Sequence, residues 1–185
     1  MARNRKITDD DILDAVERVV TRLGASGLSI DAVAQEAGVS KSRVVYDHKS
    51  KSALLEALIE RYVELEDARV AEAVATAAKG TPHPELFARI ALAEPEFNEV
   101  DKAVAMAISA AMTNEDRLQT RLREWTRKDL AAVTDTDRPE AGLLAYLSLC
   151  GFYWIELGGF HQWSGEERSR ILDGIRKIFT THPEL

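Results

Sequence analysis

The sequence predicts an all-α fold of about nine helices, in which a small three-helix head at the N-terminus is joined by a long helix to a larger helical domain. Three observations predict it. Apolar residues recur at helical spacing along most of the chain, and no segment shows the alternation of a half-buried strand. Cap-forming residues, glycines and prolines interrupt that periodicity at helix-sized intervals. Residues 29–51, SIDAVAQEAGVSKSRVVYDHKSK, read as a helix, a tight turn and a second helix.

Thr8 is a good N-cap for the first helix, and Asp9, Asp10 and Asp11 sit where the helix dipole favours negative charge. Ile12, Val16, Val19, Val20 and Leu23 then form one apolar stripe, which Gly24 ends. After a linker containing Gly27, Ser29 caps a second helix whose Ile30, Val33, Ala34 and Ala37 share a face. Gly38 supplies a left-handed turn without a Cβ penalty, and Ser40 caps the third helix. Within this unit Ala34 lets two helices cross closely, Gly38 makes the turn and Val44 closes the small core. That arrangement is a helix-turn-helix, which places its second helix in a DNA major groove; the plainer reading is two short helices of an all-α core.

Ser50 caps a fourth helix with no proline and no glycine before Gly80, so it is expected to run about 28 residues, or about 42 Å. Leu54, Leu55, Leu58, Ile59, Tyr62, Val63 and Leu65 make its buried side, while Glu56, Glu60, Glu64, Glu66 and Asp67 face water. The loop from Gly80 to Pro84 breaks the chain, and His83 within it reads as a solvated loop residue, no partner ligand being spaced to share a metal with it. A short helix starts at Pro84, another follows Pro95, and a longer amphipathic one starts from Asn114. The most apolar stretch follows a proline turn and ends at Gly158 and Gly159. Ser164 opens the last helix, with Ile171, Leu172, Ile175, Ile178 and Phe179 on one face.

The totals exclude several classes. A chain of 185 residues with 45% hydrophobic and 30% charged residues is ordinary for a soluble protein, and no apolar run approaches the ~20 residues of a membrane helix. The first residues lack the apolar segment of a signal peptide, so the cytoplasm is the expected compartment and no membrane partner is expected. Cys150 is the sole cysteine, which excludes an internal disulfide and a cysteine-rich zinc site. With no nucleophile–base pair, phosphate-binding glycine loop or ligand cluster in the sequence, no enzymatic activity, metal or cofactor is expected.

The net charge of −7 is unevenly divided. Residues 1–51 carry nine Lys/Arg against eight Asp/Glu, a balance of +1, and the remainder carries fifteen against twenty-three, −8. Arg3, Arg5, Lys6, Lys41, Arg43, Lys49 and Lys51 cluster at two places where a phosphate backbone would pass. An acidic remainder keeps nucleic acid to that one end.

The order of parts resembles the tetracycline-repressor (TetR) family of bacterial transcriptional regulators. Ile12-Leu13-Asp14-Ala15, Gly24, Leu28-Ser29-Ile30, Val33-Ala34, Ala37-Gly38-Val39-Ser40-Lys41, Ser50-Lys51 and Ala53-Leu54-Leu55 carry the resemblance, which spans residues 8–60. The family usually continues its recognition helix as Leu-Tyr-x-His/Tyr-Phe, whereas this chain has Val44, Val45, Tyr46, Asp47 and His48. Val45 therefore stands where the family's phosphate-touching aromatic would be, Asp47 places a negative charge close to the DNA, and His48 replaces a packing phenylalanine.

The resemblance implies a DNA-binding domain over residues 1–51 and an effector-binding and dimerisation domain over 52–185. Recognition helices read bases near their N-terminal end, so Lys41, Ser42, Arg43 and Tyr46 are expected at the groove, with Ser29, Lys49 and Lys51 holding phosphate and Ser40 also among the DNA-binding residues; a solvated charge cluster is the plainer account. Two heads about 34 Å apart on an operator call for a dimer. Its surface is expected on Leu144, Leu147, Gly151, Trp154, Ile155 and Gly158 of one long helix and Ile171, Ile175 and Ile178 of the last, unless these only fill the monomer's core. A small hydrophobic effector is expected among Tyr62, Phe87, Phe97, Met106, Trp125, Tyr146, Cys150 and Trp154, although ordinary cores are lined in the same way. His161 and Gln162 are possible polar contacts for it. The function so implied is a homodimeric repressor released from DNA when its effector tilts the fourth helix; the alternative is a helical adaptor that binds protein and no DNA.

Overall fold

The computed structural model describes residues 7–111 and 116–184, so Arg3, Arg5, Lys6 and Asn114 lie outside the described residues. Among the described residues every regular element is helical: α1 Asp9–Gly27, α2 Ile30–Ala37, α3 Lys41–Asp47, α4 Lys51–Thr76, α5 Pro84–Leu92, α6 Glu99–Ala111, α7 Asp116–Thr134, α8 Pro139–Leu157 and α9 Gly165–Thr181. The all-α expectation holds, with nine helices. None of them is long and apolar enough to cross a membrane.

The described residues divide into two compact units, one made of the chain up to Tyr62 together with Asn98–Gln119, the other of Val63–Phe97 together with the residues from Thr120 onward. In the first unit, α1 starts in a capping box: Thr8 Oγ1 accepts from the Asp11 amide at 3.2 Å, and the Asp11 carboxylate accepts from the Thr8 amide at 2.8 Å. Gly24, at φ 68° and ψ 176°, breaks the helix as expected, and a short helical piece continues to Gly27. Ile12, Val16, Val19 and Val20 are buried, and both α2 and α6 pack against α1, with Val104 and Ala107 of α6 also buried. Leu23 is not part of that core. It is 48% exposed, because at the last turn before the break it lies against Gly27 and no helix covers it.

Ser50 Oγ accepts from the Ala53 amide at 3.1 Å and so caps α4. Leu54, Leu55, Leu58 and Ile59 are buried, as is Val63, but Leu65 is 46% exposed: periodicity continues the apolar stripe past the point where neighbouring helices cover it.

In the second unit, Leu86, Ile90 and Ala93 meet Val133, Ala141, Ala145, Leu149 and Phe152, with Leu172, Ile175 and Phe179 of α9 closing the core. His83 belongs to this core and not to solvent. It is 5% exposed, its Nε2 lies 2.9 Å from the Val133 carbonyl, and its ring is 5.2 Å from that of Phe179. His83 is the N-cap residue of α5, its carbonyl accepting from the Phe87 amide at 2.9 Å, and the end of α7 supplies the polar partner that burial of its ring requires. A capping box at Ser164 starts α9, the Glu167 carboxylate accepting from the Ser164 amide at 2.9 Å.

Candidate nucleic-acid interface

The geometry of the head follows from its turn. Ser29 Oγ accepts from the Ala32 amide at 3.1 Å and starts α2; Gly38, at φ 68° and ψ 32°, ends it in the left-handed conformation. The Gly38 and Val39 amides then satisfy the last carbonyls of α2, and Ser40 Oγ accepts from the Arg43 amide at 3.3 Å. Two caps and one glycine thus set α3 against α2, with Val33, Ala34 and Val44 buried between them.

Val44 is the only buried residue of the seven in α3. Lys41, Ser42, Val45 and Tyr46 are exposed, Tyr46 at 82%, and Arg43 is half-buried. Among the described residues, each expected contact residue except Tyr46 and Lys49 already has a polar partner. Lys41 Nζ lies 2.9 Å from Asp31 Oδ2, and the Ser42 and Ser40 hydroxyls are 2.9 Å apart. The Arg43 guanidinium pairs with Asp47, four residues on, and also donates to the Ile7 carbonyl at 3.4 Å. Lys51 Nζ donates to the Ser26 carbonyl at 3.1 Å, and Lys49 is exposed.

His48, in place of the family's packing phenylalanine, is 7% exposed and its Nε2 lies 2.8 Å from Asp9 Oδ1. A polar bond to the first turn of α1 therefore holds the end of α3. Further bonds stabilise the head from α4 and α2. Arg61 reaches Asp14 at 2.6 Å, and Arg18 and Arg22 of α1 both bond Glu36 of α2, holding its carboxyl below the usual range.

The expected effector residues are divided between the two units. Tyr62 and Met106 belong to the unit that holds the head, Met106 lying 40% exposed on α6. Phe87, Phe97, Trp125, Tyr146, Cys150 and Trp154 belong to the other. There the Tyr146 hydroxyl donates to Asp129 Oδ2 at 3.1 Å, and Arg89 Nη2 donates to Asp129 Oδ1 at 2.6 Å. Burial, with Cys150 and Asp129 adding to it, pushes the Tyr146 hydroxyl far above the ordinary tyrosine range, and burial also raises the Cys150 thiol. Burial opposes the charge of Arg89, but its bonds to Asp129 and Glu85 more than offset that. Phe97 packs 5.2 Å from Tyr153 and beneath the Arg168 guanidinium, which also pairs with Glu156 and donates to the Ala93 and Pro95 carbonyls. His161 meets the Trp163 ring edge-on with centroids 4.2 Å apart, and both His161 and Gln162 are exposed.

These buried charges were missed in the sequence, though a signal was present: Arg89 falls on the stripe Leu86, Ile90, Ala93, and Arg168 on Leu172, Ile175, Phe179. A charge on an apolar stripe requires a buried partner.

The residues expected at a dimer surface fall into three sets. Leu144, Leu147, Gly151 and Trp154 are exposed on α8, Leu147 at 53% and Trp154 at 52%, while Ile155, Gly158, Ile171 and Ile178 are half-buried. Ile175, at 3%, is buried in its own unit's core.

A helix-turn-helix with an outward third helix, set in an all-α chain with a second helical unit, is the architecture of a helix-turn-helix transcriptional regulator. Residues 12–58 match the family model described as bacterial regulatory proteins, tetR family, and residues 85–180 match tetracyclin repressor-like, C-terminal domain. The chain belongs to the TetR family of bacterial regulatory proteins. No curated protein matches it. Among solved structures it is similar to a transcriptional regulator from Rhodococcus sp. Rha1, at 22% identity and TM-score 0.77, covering 94% of this chain and 97% of that one. A putative transcriptional regulator from Saccharomonospora viridis, solved in complex with choline, is 17% identical with TM-score 0.75, covering 94% and 95%. The multidrug binding protein EbrR, complexed with malachite green, is 19% identical with TM-score 0.70, covering 91% and 96%. At these identities the likeness is one of fold.

Proposed function

We propose that this regulator is a homodimeric repressor that binds a double-stranded operator through α3 and leaves it when a small hydrophobic effector binds. The observation that carries the reading is the exposure of α3: only Val44 is spent on the core, and every other side chain of the helix reaches solvent to some degree. Residues 1–51 form the reading head, with Lys41, Ser42, Arg43 and Tyr46 at base edges and Ser29, Ser40, Lys49 and Lys51 along phosphates. Residues 52–185 supply the dimer surface and the effector site.

Dimerisation is supported by α8, which is apolar on two sides. Ala141, Ala145, Leu149 and Phe152 fill the core, while Leu144, Leu147 and Trp154 of the same helix face solvent. A helix apolar all round needs cover on both sides, and a second α8 supplies it. At Gly151 an added Cβ would meet nothing within 4 Å, so the monomer does not require the glycine; close approach of a second helix does. For the effector we assign Phe87, Trp125, Tyr146 and Cys150, in the unit that also holds Asp129. Choline and malachite green, bound by two of the structural neighbours, are small organic molecules of the kind such a site would take. Release follows if the effector prefers a state with weaker hold on DNA.

The test is a gel shift on the DNA upstream of the protein's own gene, with and without heparin competitor. A complex that survives heparin, and that Lys51→Ala weakens while reducing the slope of log affinity against log salt by about one, is the expected result. Binding that heparin abolishes, or that Lys51→Ala leaves unchanged, refutes the assignment.

A further inference from the structure

We propose that Asp47 is a specificity-determining residue: by holding Arg43 on the protein, it suppresses sequence-independent binding to the phosphate backbone. This rests on the DNA-binding reading above. The head has two cations on α3, and both are engaged by carboxylates, yet the two pairs differ in kind. Lys41 and Asp31 are joined by side chains 60% and 71% exposed, an arrangement that water and salt screen almost entirely. The Arg43 and Asp47 side chains are 33% and 20% exposed and lie one helical turn apart on the same face, and the Arg43 guanidinium has a second acceptor in the Ile7 carbonyl. Lys41 therefore exchanges its partner for a phosphate more readily than Arg43 does.

A phosphate offers Arg43 no more than Asp47 already does, since each is an anion that can take two N–H donors. Leaving Asp47 for a phosphate would also bring an unpaired carboxylate close to the DNA. A guanine edge differs: it accepts from the guanidinium through O6 and N7 and carries no charge, so Arg43 can reach it while keeping one N–H on Asp47. The pair thus removes one phosphate contact from the non-specific mode and retains the base contact of the specific one. The residue types allow this because the guanidinium has five donors, of which the protein uses two.

The test uses the full chain and a labelled random-sequence duplex of about 30 base pairs, followed by fluorescence anisotropy over a salt series. Asp47→Asn is expected to tighten binding about tenfold and to steepen the log affinity against log salt slope by about one. Asp47→Glu, which keeps the charge, is expected to bind as the wild type does. In an Arg43→Ala background Asp47→Asn should lose most of its effect, because the effect passes through the guanidinium; helix content by circular dichroism confirms that each variant is folded. The proposal is overturned if Asp47→Asn leaves random-duplex affinity unchanged or lowers it, or if the gain is as large without Arg43. Should the wild type also fail to bind the upstream DNA, the DNA-binding reading falls with it; should the upstream DNA be bound normally, only the role of Asp47 falls.

Discussion

Replacing Asp129 by alanine removes the carboxylate that holds both Arg89 and Tyr146. Arg89 and Asp129 side chains are 10% and 12% exposed and 2.6 Å apart, so the loss leaves a guanidinium in the core with one partner fewer, and a tyrosine hydroxyl without its acceptor. Arg89 keeps its bonds to Glu85, but its Nε has no hydrogen-bond partner among the described residues. Removing one member of a buried pair costs about 3–5 kcal/mol, several times an exposed pair. For a domain of this size 1 kcal/mol moves the thermal midpoint by roughly 2–4 °C, so Asp129→Ala should lower it by about 10 °C. Trp125, Trp154 and Trp163 all lie in the unit that contains the pair, so tryptophan fluorescence under urea reports it directly. Asp31→Ala, which breaks the exposed pair with Lys41, is the control and should cost under about 1 kcal/mol. Converting both Arg89 and Asp129 to Met and Leu should restore more than half of the loss, since an apolar pair of similar volume needs no partners. Equal costs for Asp129→Ala and Asp31→Ala, or a double variant as unstable as the single one, would refute the reasoning.

Three further outcomes follow from the same geometry. Leu147→Glu places a charge in the exposed apolar stripe of α8 and should convert a dimer to a monomer in sedimentation velocity with helix content unchanged. Gly142→Ala should cost about 1–3 kcal/mol in urea unfolding, because the new Cβ would sit 2.3 Å from the Val133 carbonyl, which is backbone and cannot turn aside; Gly151→Ala, in open space, should cost the monomer nothing. The Ser164 amide and hydroxyl lower the Glu167 carboxyl below its ordinary value of about 4.3, so the stabilisation is present above that value and is lost as pH falls through the folded one. Glu167→Gln should therefore lower the thermal midpoint at pH 7, with the difference from wild type shrinking as pH falls below the ordinary carboxyl range; midpoints that stay parallel across the range would exclude the cap as the cause.

The head was legible in the sequence because its determinants are local. Ser29, Gly38 and Ser40 act on backbone groups within four residues, so their chemistry can be read without knowing what packs on them. The same holds for Thr8, Gly24, Ser50 and Ser164, and hence for most helix boundaries. Periodicity placed the apolar stripes correctly, but it carries no information about how far a covering helix extends. Leu23 and Leu65 accordingly fall on a stripe and lie in solvent.

Long-range partners were not legible. Nothing near His83 in sequence anticipates a bond to Val133, fifty residues on, nor does anything near Arg89 name Asp129, forty residues away. That α6 packs on α1 is likewise a product of the fold, and it places Met106 in the same unit as the head. The family pattern predicted an aromatic closure at position 48, and the chain supplies His48 bonded to Asp9 across thirty-nine residues. By itself, then, the sequence determined the helices, their caps and the outward-facing α3, because these depend on contacts within one turn. Only the tertiary structure decided which charges are buried, which apolar side of α8 lies in solvent, and that Arg43 also reaches the Ile7 carbonyl, because each of those depends on what another part of the chain brings within reach.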